Sequence, residues 1–248
     1  MGILRNEPSD LNELSVESTP SFRILDELTF ESEFRRVTRW TTLTLHEVLH
    51  NFNLPPSEEV TSIGSFPLSC SGEVSQYFVI GSEITAPVHN TPYRGRIHVY
   101  RMVSVHAVDD ITSILVKGSV GDLNCVDSKI VACVDSAVSS IFAVFSPCAH
   151  CPNTYLFQVI VYELVQTESD LRPTLVSLAT WDRGYHLHTV RVRGEVIVTA
   201  DALRSLDVLV WNGKSLSLRA RDHSSLWPIA METVDGENIM VAEASPIL

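Results

Sequence analysis

The sequence predicts an all-β protein assembled from propeller blades. Three observations predict it. A strand, a tight polar turn, a second strand and an acidic residue recur at 120–135, 187–201 and 229–243. The turns at Gly194 and Gly236 lie 42 residues apart, a repeat length that propeller blades show when the unit is made of strands alone. Apolar runs are short and bounded by turn residues about every 8–12 positions, and convincing amphipathic helices are absent.

Composition sets the class. Of 248 residues, 45% are hydrophobic and 19% charged, enough apolar surface for a sizeable core. The formal net charge of −12 repels a bare phosphate backbone, so charge alone predicts no grip on nucleic acid. No charge-free run of 18 apolar residues marks a membrane-spanning helix. The first residues lack the apolar stretch of a signal peptide and the Ser/Thr of a myristoylation signal. With five cysteines, an odd number, a reducing compartment is expected. Cys125 and Cys133 fall inside apolar strands and are expected to pack as small hydrophobes.

The elements follow in order. Residues 1–20 are polar and acidic and read as a tail or linker, and 21–248 as the propeller. Residues 21–30 read as a hairpin around an Asp-Glu turn, and 76–81 as a buried strand. Residues 84–94, rich in Pro, His and Asn, read as a loop. Residues 95–101 alternate apolar and polar, as a half-buried strand does. Short strands are then expected at 111–116, 120–126, 129–134, 159–164, 175–180, 189–192, 195–198, 205–211 and 215–219.

One spacing departs from the period. Ser128 to Gly194 is 66 residues, and removing the 21 residues of 138–158 leaves 45. An insertion at 138–158 is therefore expected, and its Val-Ser start and Gln end are compatible with a read-through intron. A main messenger lacking the codons for 138–158 would support that origin; uniformly full-length messenger would remove it.

The strands also carry a resemblance. Gln76-Tyr-Phe-Val-Ile-Gly-Ser followed by Tyr93-Arg-Gly-Arg-Ile-His-Val-Tyr resembles the large subunit of the UV-damaged-DNA-binding protein and its relatives, the large subunits of the cleavage and polyadenylation factor and of a splicing factor. Val116-Lys-Gly-Ser-Val, Ala200-Asp-Ala-Leu-Arg-Ser-Leu, Arg221-Asp-His-Ser-Ser-Leu-Trp227 and the stretch from Phe22 to Glu31 are similar to further family segments. The resemblance covers about 21–244 and favours the damaged-DNA-binding branch. It implies a WD40-like β-propeller, incomplete here, with about four to five blades of a seven-bladed ring. Such proteins are long chains of three propellers, and this region resembles the C-terminal one. The resemblance implies a non-catalytic scaffold in a nuclear complex, serving as a ubiquitin-ligase adaptor or in DNA repair or messenger-RNA processing. It binds protein partners such as substrate receptors or other subunits through the propeller face, with nucleic acid reached only within the complex. It implies no cofactor, no metal and no membrane. The middle propeller, which holds the cullin in the family, lies outside this sequence.

The resemblance also implies site residues. Trp227, Arg204 and Arg221 match the family's partner face. Tyr185, His186 and His188 belong to the same predicted set, and the two histidines replace apolar residues and make the surface more polar and pH-responsive. An exposed Trp beside guanidinium groups suits a partner helix; a Trp capping the core between blades, with the arginines solvated, is the structural alternative. A second length excess is expected near 34–45. A ring that does not close is expected from the stop at Leu248, and unpaired blade edges invite aggregation.

A rival reading is a zinc metallopeptidase. His46-Glu-Val-Leu-His50 spells H-E-x-x-H, which binds zinc when a helix puts both histidines on one face. The β-prone 41–45 before it and Asn51-Phe-Asn-Leu-Pro-Pro56 after it oppose a helix, and Glu58 and Glu59 sit beside a proline turn. Cys148-Ala-His-Cys151 lacks a second ligand pair. Gly118-Ser-Val-Gly121 lacks the lysine of a phosphate loop, and no G-x-S-x-G elbow occurs. Arg191 and Arg193 share a strand face and read as solvated.

Overall fold

The computed structural model describes residues 21–25, 48–85, 92–104, 107–135, 157–166, 172–184, 187–201, 205–222, 227–234 and 238–244. Strands and tight turns build these residues. In chain order the strands are β1 (Ser21–Leu25), β2 (Val48–Asn53), β3 (Glu58–Cys70), β4 (Glu73–Thr85), β5 (Pro92–Ser104), β6 (Ala107–Val116), β7 (Ser119–Val126), β8 (Lys129–Asp135), β9 (Phe157–Val165), β10 (Thr174–Gly184), β11 (Leu187–Arg193), β12 (Val196–Asp201), β13 (Ser205–Trp211), β14 (Leu216–Arg221), β15 (Trp227–Val234) and β16 (Asn238–Ala244).

Their pairing is that of an incomplete β-propeller. β3 to β6, β7 to β10 and β11 to β14 form three four-stranded antiparallel sheets, each in chain order. β15–β16 and β1–β2 form two-stranded sheets. The first strands β3, β7, β11 and β15 touch one another in succession, so they form the inner rim. The fourth strands meet outside: β10 contacts both β6 and β14.

Local chemistry sets the turns. Asp127 and Ser128 close β7–β8 with φ of 47° and 56°, and Ser71 and Gly72 close β3–β4 with φ of 53° and 84°. Two consecutive positive φ values match the right-handed twist of the flanking strands. Gly194 carries a φ of 55° at the first central position of the β11–β12 turn, where a side chain would be strained.

Apolar seams hold the blades face to face. Val79, Ile97 and Val99 of the first blade meet Val120, Leu123, Ile130 and Tyr162 of the second. Val131, Cys133 and Val159 of the second meet Val190, Ile197 and Leu209 of the third. Met231 of β15 closes on Val198 and Ala200. Cys133 is buried and Cys125 packs against the first seam, as expected of small hydrophobes. Side chains also tie each inner strand to the next. Thr61 Oγ1 donates to the Val120 carbonyl. Asp122 Oδ2 accepts from the Val190 amide at 2.9 Å and from Arg191 Nη1 at 2.8 Å. Arg191 then reaches Glu232 of β15 at 3.5 Å.

Three readings need correction. The loop expected over 84–94 is shorter, because Ile84 and Thr85 extend β4 and 92–94 open β5, with Ile84 opposite Arg94. The hairpin within 21–30 does not hold its first strand: β1 pairs with β2, with Phe22 opposite Phe52. Asp26-Glu27 offers neither the Gly nor the Asn that a two-residue hairpin turn favours. Residues 58–70, unassigned in the sequence, are the strand β3. Pro67 is tolerated there because β3 is an edge strand, where a missing N–H breaks no ladder. The tail 1–20, the excess at 34–45, and all of 138–158 except Phe157 and Gln158 lie outside the described residues.

Burial pushes the phenols of Tyr100 and Tyr162 up to about 12 from an ordinary 10.0. Near Tyr100 the carboxylates of Asp110 and Glu58 add to the effect. Around pH 10 the unfolded chain releases these protons while the folded chain keeps them. The stability this burial gives is complete below pH 10 and drains away as pH rises toward 12. Tyr162→Phe is therefore expected to lose less stability between pH 9 and pH 11 (both ~) than the natural chain in urea titrations. Equal losses would contradict the assignment.

Candidate functional site

Strand register brings several chain ends together at one end of the third blade. Leu187 at the start of β11 lies opposite Asp201 at the end of β12. Asp201 in turn lies opposite Ser205 at the start of β13, and Arg221 at the end of β14 lies opposite Asp207. β15, which starts at Trp227, runs beside β11. The structure thus puts His188, Arg221 and Trp227 at the same end of their strands, with His188 on the inner edge strand β11 and Arg221 on the outer edge strand β14. Tyr185, His186 and Arg204 lie outside the described residues.

Each described member has its own setting. Trp227 is 47% exposed, so it does not cap the core. Ile229 on the same strand is 61% exposed and Met240 on β16 is 62% exposed. The opposite side of this sheet is anchored by Met231 in the third-blade seam. His188 is half-buried on β11. Arg221 is gripped as a fork: Nε donates to Asp207 Oδ1 at 2.5 Å and Nη2 to Oδ2 at 2.7 Å. A bidentate Arg–carboxylate pair fixes the guanidinium plane. It locks the outermost strand of the blade and sets the direction the remaining N–H groups face. Asp207 was missed in the sequence because its partner is fourteen residues away and only the β13–β14 register joins them.

A second polar cluster lies inside the first blade. Glu58 Oε1 accepts from Ser82 Oγ at 2.6 Å and faces His98 Nε2 at 2.8 Å, and Oε2 accepts from Arg96 Nη1 at 2.7 Å. Ser82 donates to the carboxylate and not to the imidazole, and Glu58 is 1% exposed. The group is therefore an internal clamp and not a nucleophile with its base. Its only trace in the sequence is the two-residue spacing of Arg96 and His98, which puts both on one face of β5. A polar depression of about 610 Å³ opens between the first and second blades, lined by Glu73, Tyr77, Arg101, Asp109 and Arg172 among others. It mixes both signs of charge.

The zinc-peptidase reading is overturned. Residues 48–53 form β2, with His50 opposite Ile24, so the chain there is extended and the motif has no helix. His46 and Glu47 lie outside the described residues. Asn51, Asn53 and the following prolines favour the extended ladder over the helix that would place a third ligand.

Comparison with known proteins agrees with this architecture. A family model described as the CPSF A subunit region matches residues 40–139 and 157–248. DNA damage-binding protein 1 of Solanum lycopersicum is 26% identical over 184 residues, which is 71% of this chain and 14% of that protein. DNA damage-binding protein 1b of Arabidopsis thaliana is 25% identical over 243 residues, 94% of this chain and 18% of that protein. DNA damage-binding protein 1 of Oryza sativa subsp. japonica is 26% identical over 245 residues, with the same shares of 94% and 18%. The chain therefore spans less than a fifth of the length of these relatives.

Proposed function

The chain belongs to the family of the CPSF A subunit region, and on that premise we propose that it is a non-catalytic propeller scaffold presenting one face to protein partners. The exposed Trp227 at the start of β15, the strand beside β11 of the third blade, carries this reading. A propeller face built from loop ends is rigid at its base and variable at its tips, which suits recognition and not bond-making. An aromatic ring half in water loses little conformational entropy when a partner covers it. Arg204, Arg221, Tyr185, His186 and His188 complete the proposed contact set. The relatives are named for binding damaged DNA, so a nuclear complex acting in DNA repair, with a ubiquitin-ligase adaptor role, is the setting we favour over messenger-RNA processing. With a net charge of −12 the chain meets nucleic acid only through such a complex.

The test is Trp227→Ala. Partners recovered from nuclear extract on the natural chain are expected to fall about tenfold or more on the variant, as loss of an aromatic anchor implies. The far-ultraviolet β signal and the melting temperature are expected to stay unchanged. Undiminished recovery on a folded variant would remove the reading, and a lost β signal would make Trp227 a residue of the fold.

The domain boundaries extend the same proposal. We read 138–158 as an insertion within the second blade. Two observations support this: β8 and β9 pair directly, with Val134 opposite Gln158, and the family match skips 140–156. Phe157 and Gln158 at the end of the segment are part of β9.

A further inference from the structure

The β13–β14 hairpin turns on Asn212-Gly213-Lys214-Ser215, and all four residues are exposed. The turn closes with the Asn212 N–H donating to the Ser215 carbonyl at 3.3 Å. Asn212 is the one asparagine of the chain that precedes a glycine. Its side-chain amide is held at both atoms. Oδ1 accepts from the Lys214 N–H at 3.0 Å and from the Ser215 N–H at 2.8 Å, and Nδ2 donates to Ser215 Oγ at 2.9 Å. Among the described residues nothing accepts from the Gly213 N–H. Gly213 has a φ of 87°, and even an added Cβ there would meet no atom within 4 Å.

We propose that Asn212-Gly213 is a self-modifying site whose conversion loosens the outer strand of the third blade. Gly213 N, its proton lost to solvent hydroxide, attacks Asn212 Cγ. A C–N bond forms and the carbonyl electron pair moves onto Oδ1. The Lys214 and Ser215 N–H groups already point at that oxygen, so they stabilise the negative charge as it develops. As Cγ becomes tetrahedral, Nδ2 gains a lone pair and takes a proton. The Ser215 hydroxyl is the donor in reach, and it recovers its own proton from solvent. The Cγ–Nδ2 bond breaks, and ammonia departs from a cyclic succinimide. Water then opens the ring. Attack at Cγ gives aspartate, and attack at the Asn212 main-chain carbonyl carbon gives isoaspartate. Water is consumed and ammonia released, with no oxidant or reductant. Isoaspartate routes the backbone through Cγ and adds a carbon to the turn. Among the described residues β14 pairs with β13 alone, and the Arg221–Asp207 fork fastens its far end. The Asn212 turn fastens the near end, and the added carbon undoes it.

The test incubates the purified full chain, folded, in mildly alkaline buffer. Peptide mass mapping reads the replacement of NH by O and separates isoaspartate from aspartate by elution. Asn212 is expected to convert while Asn124, inside β7, stays intact. Ser215→Ala keeps both N–H bonds to Oδ1 and is expected to slow the conversion about tenfold or more, as loss of a positioned proton donor implies. Amide exchange over 216–221 is expected to quicken in the isoaspartate fraction relative to freshly purified chain. An Asn212 that stays intact in the folded chain, through an incubation that converts it in the urea-unfolded chain, overturns the proposal, because the turn is then a shield. So does an equal rate in Ser215→Ala, or exchange over 216–221 that is the same before and after conversion.

Discussion

Gly95→Ala is expected to destabilise the chain by about 3 kcal/mol or more. A Cβ at Gly95 would stand 2.3 Å from the Gly118 carbonyl oxygen, 2.5 Å from that of Ser82 and 3.2 Å from the Val120 nitrogen. All three are backbone atoms, Ser82 on the paired strand β4 and the other two where the first blade hands over to the second. Close-packed backbone cannot move aside as a side-chain tip can. Gly64→Ala is the control, because its obstacle is the Phe66 ring, at 2.1 Å, which can swing outward from a half-buried site. Urea unfolding followed by far-ultraviolet dichroism compares the two. Equal midpoints for both variants would mean that the blades tolerate a wider separation than their seam implies.

Removing the Glu58 carboxylate is the second large effect. Glu58→Ala strips the shared acceptor from Ser82, Arg96 and His98 at once, inside a blade. Breaking a buried charged pair from one side costs about 3–5 kcal/mol, since the partners stay behind without compensation. The Arg96 side chain is 26% exposed and recovers part of its loss from water, so the lower end is expected. Glu58→Gln retains an acceptor of the same shape and should cost less. Glu59→Ala, one position on and exposed, should cost about 0.5 kcal/mol or less. Matching midpoints for Glu58→Ala and Glu59→Ala would show that the clamp does not hold the blade.

Much of this architecture is written locally. The β13 strand at Ser205–Trp211 was legible to the residue, because a short apolar run bounded by polar and turn residues specifies a buried strand without outside help. The β7–β8 hairpin was legible for the same reason, though nothing in Asp127-Ser128 announces two positive φ values. β3 was hidden by Gly64 and Pro67, which read as breakers until its place at a sheet edge makes them harmless. In the proposed contact set, Trp227 stands in a motif visible in the sequence, whereas the fork that restrains Arg221 has no local trace. H-E-x-x-H shows the converse: a local pattern with a chemical meaning on a helix loses that meaning on the strand β2.

Composition, alternation and the 42-residue spacing were enough to establish an all-β chain of repeating blades, because strand pairing between neighbours along the chain is short-range. The Glu58 clamp, the Asp122–Arg191–Glu232 tie across three inner strands and the close approach at Gly95 emerged only from packing. Each joins residues far apart in the chain whose side chains meet once blades stack, and no local period records which blade face will press on which.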